Sequence, residues 1–403
     1  MLIKRLWVTT IIFMGAFAGT SSLAADSNAP RPSKDCSLVS GVSSSYSARG
    51  SVKLPFPPIQ LDIQTPYEPT LFPSGGLNYV IYELHFQNYT DKPLTLQKLE
   101  IVDSSKEHGA TIAEFNGLQL YERLLPIGSN KIDGDHPLQG GKRAVAFICL
   151  AFDDTQPAPE KLSHRVLVGD SLAEGPTIGI RHTKLKVLAP PVMGTDWVAD
   201  NSPSLNSHHR TGIFIAGGRA YISRRFALDW KQIKQDEMYS GDARDVRSYY
   251  SYGQSVFAVA DATVASAKDG FPDNVPRTAA GFTTALPLTM ENVAGNSIVL
   301  ELGDEQFAYY AHLKPGSVRV VTGDRVRRGD LLGQIGNSGD ARWPHLHFQV
   351  ATTPDILASE GVPFLIDSYR ARDEDGAWQI RNREYPLGDI TLELGTEAST
   401  AAK

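Results

Sequence analysis

The residues best suited to chemistry lie late in the chain, in Pro344-His345-Leu346-His347-Phe348-Gln349-Val350, with Tyr310-Ala311-His312-Leu313 a short way before them. On an extended strand, residues two apart project from the same face. His345 and His347 therefore present two imidazoles side by side, with Gln349 next to them, while Leu346, Phe348 and Val350 point into a core. Imidazole is a favoured zinc ligand, so two histidines on a rigid, apolar-backed strand make a start on a metal site. A His-x-His pair also arises by chance on half-exposed strands, and His312 alone reads equally as a satisfied histidine at a strand end. The partners decide.

The elements that must position these side chains are mostly short strands. Ile213 to Ala216, Tyr221 to Trp230, Val256 to Ala265, Ser297 to Leu302, Phe307 to Leu313, Leu331 to Ile335 and His345 to Ala351 are apolar runs between turn signals, and helical periodicity is weak throughout. A long loop from Lys268 to Asn296 carries Gly, Pro and Asn and is expected to border a cleft. Residues 55–188 also read as β-structure. Val80, Tyr82, Leu84 and Phe86 alternate with Ile81, Glu83, His85 and Gln87, and Leu94 and Leu96 stand one step out of phase with Leu99 and Ile101, which predicts a bulged strand. Ala144 to Phe152 is apolar on both faces, as a central strand is. With turn signals at Asp133-Gly134 and Gly140-Gly141, this half is predicted to be an immunoglobulin-like β-sandwich. Residues 189–205, rich in Pro, Asp and Ser, read as a linker, 206–393 as a second β domain with a C-terminal extension, and 394–403 as a disordered tail.

The first residues are a different matter. Lys4 and Arg5, an apolar run from Leu6 to about Ala18, and Ser22-Leu23-Ala24 make 1–24 a predicted signal peptide, followed by a polar leader over 25–54. The run is too short for a good membrane span, and no later stretch could make one. A soluble mature protein beyond the inner membrane, periplasmic or secreted, is expected. The net charge of -6 comes with no basic cluster, which argues against nucleic-acid binding. Only Cys36 and Cys149 are present; in an oxidising compartment they can pair, or remain two separate buried thiols. Neither lies near the histidines, so a cysteine-rich zinc site is excluded.

Several ordered segments carry a resemblance. They are Arg225-Phe226-Ala227-Leu228-Asp229-Trp230, Val256 to Val264, Tyr309-Tyr310-Ala311-His312-Leu313, Gly323 to Gly329, Gly336-Asn337-Ser338-Gly339 and Pro344-His345-Leu346-His347-Phe348. Together, over roughly 206–366, they resemble the lysostaphin-like (LytM-type) zinc endopeptidases that cut peptide bonds in bacterial peptidoglycan. The resemblance implies a mainly β protein, with a lysostaphin-like antiparallel sheet after the N-terminal sandwich. It implies Zn2+ held by Asp229 and His347, with His345 and His312 as the catalytic histidines.

The sequence departs from that pattern at one ligand. The family has a histidine four residues before the aspartate, and this chain has Arg225, whose guanidinium cannot ligate zinc. His208 and His209 stand across the Gly217-Gly218 turn. An antiparallel hairpin about those glycines would set His209 opposite Phe226, or opposite Arg225 after a one-residue shift, so His209 is the expected third ligand and His208 the alternative. The other reading leaves both on the surface and the site dead. Zinc with three protein ligands and one open position lowers the pKa of water toward about 7. His345 is then expected as general base, and His312 as the residue that orients the water or stabilises the oxyanion, roles that sequence does not order. Trp343 and the tyrosines Tyr249, Tyr250 and Tyr252 are candidates for a substrate groove, whereas His85, His108, His136, His164 and His182 read as structural or solvated. The implied partners are peptidoglycan peptides and possible cell-wall enzymes. The rival functions are a metal-free homologue that regulates cell-wall amidases, a cell-wall binding module and, more weakly, a cupin-type metal barrel, for which Glu360 is too far from the His pair.

Overall fold

The computed structural model describes residues 30–39, 56–105, 109–129, 137–153, 155–182, 184–373, 375–388 and 390–395. The predicted signal peptide 1–24 and residues 396–403 of the predicted tail lie outside them, as do His108 and His136. Among the described residues the only α-helical segments are two four-residue turns, Leu118–Tyr121 and His208–Thr211; the protein is mainly β. No described helix is long and apolar enough to cross a membrane.

Strand Leu77–Asn88 organises the N-terminal half. It pairs with Arg143–Phe152 along almost its whole length, in a sheet whose order is Ser37–Leu38, Arg143–Phe152, Leu77–Asn88, Leu61–Gln64. A four-stranded sheet, in the order Ser171–Gly179, Lys161–Val168, Leu96–Asp103, Ala110–Asn116, covers one side. Val80, Tyr82, Leu84 and Phe86 share a core with Leu96, Leu99, Ile101 and Val166 of that sheet. The expected bulge is present as a register shift between Leu96 and Lys98.

From Leu77 to Glu83 the opposite face of the same strand is covered as well. Leu77, Tyr79 and Ile81 pack in a second core with Trp197, Trp230, Tyr310 and Phe348 of the C-terminal half. Alternation along a strand that is covered on both faces is thus a division between two cores, rather than between core and solvent. Glu83 continues that second face, and it too is buried.

The C-terminal sheet runs Gly194–Asp200, Leu228–Gln232, Leu346–Ala351, Phe307–Leu313, Asn296–Glu301, Ala262–Lys268 through its middle. Leu365–Arg372, Trp378–Glu384 and Thr391–Leu394 extend it on the far side of Gly194–Asp200. The predicted linker 189–205 therefore contains an interior strand. Its Pro, Asp and Ser content hid the alternation of Trp197 and Ala199, both fully buried. The predicted leader departs in the same way. Ser37–Leu38 pairs in parallel with Leu150 and Ala151, and a Cys36–Cys149 disulfide fastens it there. Closing a loop with a sequence separation of 113 residues stabilises by very roughly 4–5 kcal/mol in the chain-entropy model.

Candidate metal centre

Three neighbouring strands bring the chemistry together. Asp229 on Leu228–Gln232 is paired with His347 on Leu346–Ala351, which in turn is paired with Ala311 on Phe307–Leu313. His312 follows Ala311, at the end of its strand and in a left-handed conformation with φ 65°. That backbone is held from both sides: the amide of His312 donates to the Ala294 carbonyl at 2.9 Å, and its carbonyl accepts from the Gly336 amide at 3.0 Å. Glycine is required at 336, where a Cβ would collide with the backbone of Lys314. The Gly336-Asn337-Ser338-Gly339 turn therefore lies directly against the His312 strand. His345 stands just before its strand rather than on it, yet its ring shares the His347 side as the two-residue spacing predicts.

One carboxylate oxygen is the focus. Asp229 Oδ1 lies 3.0 Å from His347 Nδ1, 3.4 Å from His345 Nε2 and 3.6 Å from His209 Nε2. The His312 ring stands 4.9 Å from that of His345 and 5.9 Å from that of His347, centroid to centroid. His208 is nearby as well: ring nitrogens of His208 and His209 and a carboxylate oxygen of Asp229 fall within 4.8 Å of one another. His208 is exposed, whereas His209 is buried.

His209 reaches the site by a route the sequence did not suggest. The glycine hairpin has the expected register, Phe214 opposite Tyr221 and Ala216 opposite Arg219, but its ladder ends there. His209 never pairs with Phe226 or Arg225. Residues His208–Thr211 instead form a helical turn, capped by Ser207, whose Oγ accepts the His209 amide at 3.2 Å. The ring then packs edge-on against His347 at 4.8 Å. Arg225 does not enter the site. It donates to both oxygens of Glu83 and to Glu360.

Each imidazole is fixed from behind. Carbonyl oxygens only accept, so the Nδ1 atoms of His209, His312 and His345 donate, to Ala227 O at 3.3 Å, Ser338 O at 2.8 Å and Trp343 O at 2.7 Å. His347 Nε2 lies 2.9 Å from Gln349 Oε1, and Asn201 Nδ2 donates to Asp229 Oδ2 at 2.7 Å. In the neutral rings, the nitrogens of His209, His345 and His347 that face Asp229 are then the ones carrying lone pairs. Lone pairs set against a carboxylate oxygen repel unless a cation or extra protons lie among them. Burial pushes His209 well below its ordinary pKa, and the adjacent His347 adds to this against the opposing pull of Asp229, so protons are the poorer solution there. Burial works against the charge of Asp229 too, yet any proton taken up by His345 or His209 would pull the other way, and its pKa lies well below the usual carboxylate range. His312 is likewise kept neutral by burial and by its imidazole neighbours. An ionised carboxylate and imidazole lone pairs, oriented by carbonyls behind them, are the donor set a divalent zinc ion takes.

Residues 245–357 match the family model described as Peptidase family M23. That segment takes in His312, His345 and His347 and stops short of Asp229 and His209. Among curated relatives, the chain is similar to "Endolysin 2638A" of Staphylococcus phage 2638A, 39% identical over 62 residues, covering 15% of this chain and 13% of that protein. It is also similar to "Peptidoglycan DD-endopeptidase ShyA" of Vibrio cholerae, 37% identical over 57 residues, covering 14% of this chain and 13% of the relative. The chain thus spans about an eighth of the length of these relatives. Among solved structures, the catalytic domain of the antimicrobial peptidase lysostaphin from Staphylococcus simulans aligns at 19% identity with a TM-score of 0.22, over 37% of this chain and 80% of its own. The M23 match supports the metallopeptidase reading for the segment it covers.

All five predicted site residues, His209, Asp229, His312, His345 and His347, meet at this one place, and the alternative His208 lies beside it. The sequence reading missed Asn201, which lay inside the supposed linker. Its signal was local: Asn201 has φ 57°, a left-handed turn that asparagine tolerates, at the end of the strand next to Asp229. Trp343 lies beside the site, its carbonyl accepting from His345 and its Nε1 donating to Arg277 O of the long loop at 3.0 Å.

Proposed function

We propose that this chain is a zinc-dependent endopeptidase that hydrolyses peptide bonds in bacterial cell-wall peptidoglycan, acting in the periplasm or outside the cell. The observation that carries this is the convergence of His209, His345 and His347 on Asp229, with their proton-bearing nitrogens turned away. In this reading His209, Asp229 and His347 hold the ion and leave room for substrate. Zinc, when bound, supplies Lewis-acid activation of water and of the scissile carbonyl. His345, held by the Trp343 carbonyl, accepts the proton of the attacking water and passes it to the leaving amine. His312, neutral with its Nδ1 donating to the Ser338 carbonyl, keeps a lone pair on Nε2 and orients the water by accepting from it; stabilising the developing oxyanion would need a second proton on the ring. The N-terminal sheets, read as an immunoglobulin-like sandwich, support the site.

A metal-replete digest of purified cell wall, read by mass spectrometry, tests this and reports the bond chosen. New peptide termini should appear with the wild-type chain and vanish with Asp229→Ala and His347→Ala. The same products from His347→Ala would overturn the assignment. Arg225, standing where the resemblance implies a ligand, favours a second reading, a metal-free regulator of cell-wall amidases; zinc content of the purified protein by elemental analysis separates the two.

A further inference from the structure

The residue after the third imidazole is tied to the far half of the molecule. Arg210 is 3% exposed. Its guanidinium ion-pairs with Glu83, donates from Nη2 to the Tyr82 carbonyl at 2.9 Å and the Ile148 carbonyl at 3.3 Å, and lies 5.0 Å over the Phe147 ring. All of these belong to the two long strands of the N-terminal sheet. Glu83 is shared with Arg225, whose Nε lies 3.1 Å from each carboxylate oxygen and whose Nη2 is 2.7 Å from Oε2. Arg225 Nη2 also donates to Glu360 Oε2 at 2.9 Å. Two guanidiniums and two carboxylates therefore balance in a buried cluster.

The turn that carries His209 needs such an anchor. Four residues are too few for a helix to hold itself, since nucleation outweighs what a single turn returns. On its own side the turn has the Ser207 cap, the bond from Ser207 Oγ to Asn201 O, 2.8 Å, the bond from Thr211 Oγ1 to Ser207 O, 3.0 Å, and the His209 ring on the Ala227 carbonyl. On the other side it has Arg210 in the N-terminal sheet. A buried carboxylate between two guanidiniums tolerates few arrangements, because any slip leaves a charge unpaired away from water.

We infer that Glu83 is a positioning residue for the metal centre: through Arg210 it fixes the His208–Thr211 turn and so the placement of His209, making the N-terminal sheet part of the site. This rests on the zinc reading above. Arg225, at the position where the resemblance implies a ligand, is the second arm of the same clamp. The first ligand has moved to the turn, and the arginine holds the sheet against which that turn is set.

Zinc affinity of the full chain, measured by chelator competition alongside thermal unfolding of the zinc-free protein, tests it. Glu83→Gln keeps the shape and removes the charge; zinc should bind about 10–100-fold more weakly, the range for residues that orient ligands. Glu360→Gln is the control, because it breaks a buried pair of the same cluster without touching Arg210. It should lower the unfolding temperature and keep zinc affinity within about threefold. Should Glu83→Gln not fold, Arg210→Lys keeps the charge but loses the fork, and the same weakening is expected. Wild-type affinity in Glu83→Gln, or equal losses in the Glu83 and Glu360 variants, overturns the inference. A wild-type chain that takes up no zinc overturns the reading beneath it, and the inference with it.

Discussion

Replacing His209 by alanine separates the two adjacent histidines. His209 is 1% exposed, its Nε2 faces Asp229 Oδ1 at 3.6 Å and its Nδ1 is fixed on the Ala227 carbonyl. His208, whose ring centroid is 4.4 Å away, is exposed. Structural zinc sites bind with about 10–16 kcal/mol over four ligands, or about 2.5–4 kcal/mol for each. Loss of one ligand should thus weaken binding about 10²–10³-fold, since each 1.4 kcal/mol is tenfold. His209→Ala is expected to fall in that range, and His208→Ala to stay within about threefold of wild type. Titration against a chromophoric chelator, with metal content after dialysis as a second measure, reads both. The reasoning fails if His209→Ala retains wild-type zinc affinity while His208→Ala loses it; the ring-orientation argument would then have chosen the wrong neighbour.

His345→Ala should keep its zinc and lose turnover by about 10²–10⁴, the usual contribution of a general base, in a peptidoglycan-release assay. Arg225→His, which restores the family's residue type, should not raise zinc affinity. It should instead lower stability by about 3–5 kcal/mol in denaturant unfolding, because Glu83 and Glu360 lose a buried partner. Burial lowers the pKa of His164, set between the Tyr82 hydroxyl and the Pro176 carbonyl, from 6.5 to about 4. Between those values the unfolded chain binds a proton that the folded one does not. Stability is therefore lost as pH falls through that window, by about 3 kcal/mol in all. Urea midpoints measured at pH 7 and near pH 4.5 should show the drop, and His164→Gln should flatten it.

Much of the site was legible because its chemistry is local. His345 and His347 two residues apart read as one face of a strand, and the resemblance carried by the motifs around His312 and Asp229 implied the roles. His209 was reached by arithmetic about a glycine turn whose register proved correct, although its ladder ended before His209 and a helical turn completed the approach. Asn201 and the strand Gly194–Asp200 were hidden because two buried residues, Trp197 and Ala199, lie among Pro, Asp and Ser. Glu83 was the hardest. In an alternating strand a glutamate reads as facing water, and only the second layer reveals that it faces an arginine pair. Sequence periodicity reports which residues share a face, not what covers it.

That doubly covered strand has a consequence for how such a protein changes over generations. A gene break near residue 190 would separate Leu77, Tyr79 and Ile81 from Trp230 and Phe348, baring a greasy surface on each product. The two halves cannot be shuffled between proteins like beads on a string. A recombinant that borrowed the C-terminal half alone would need a new lining for the exposed sheet and a new tether for its histidine turn.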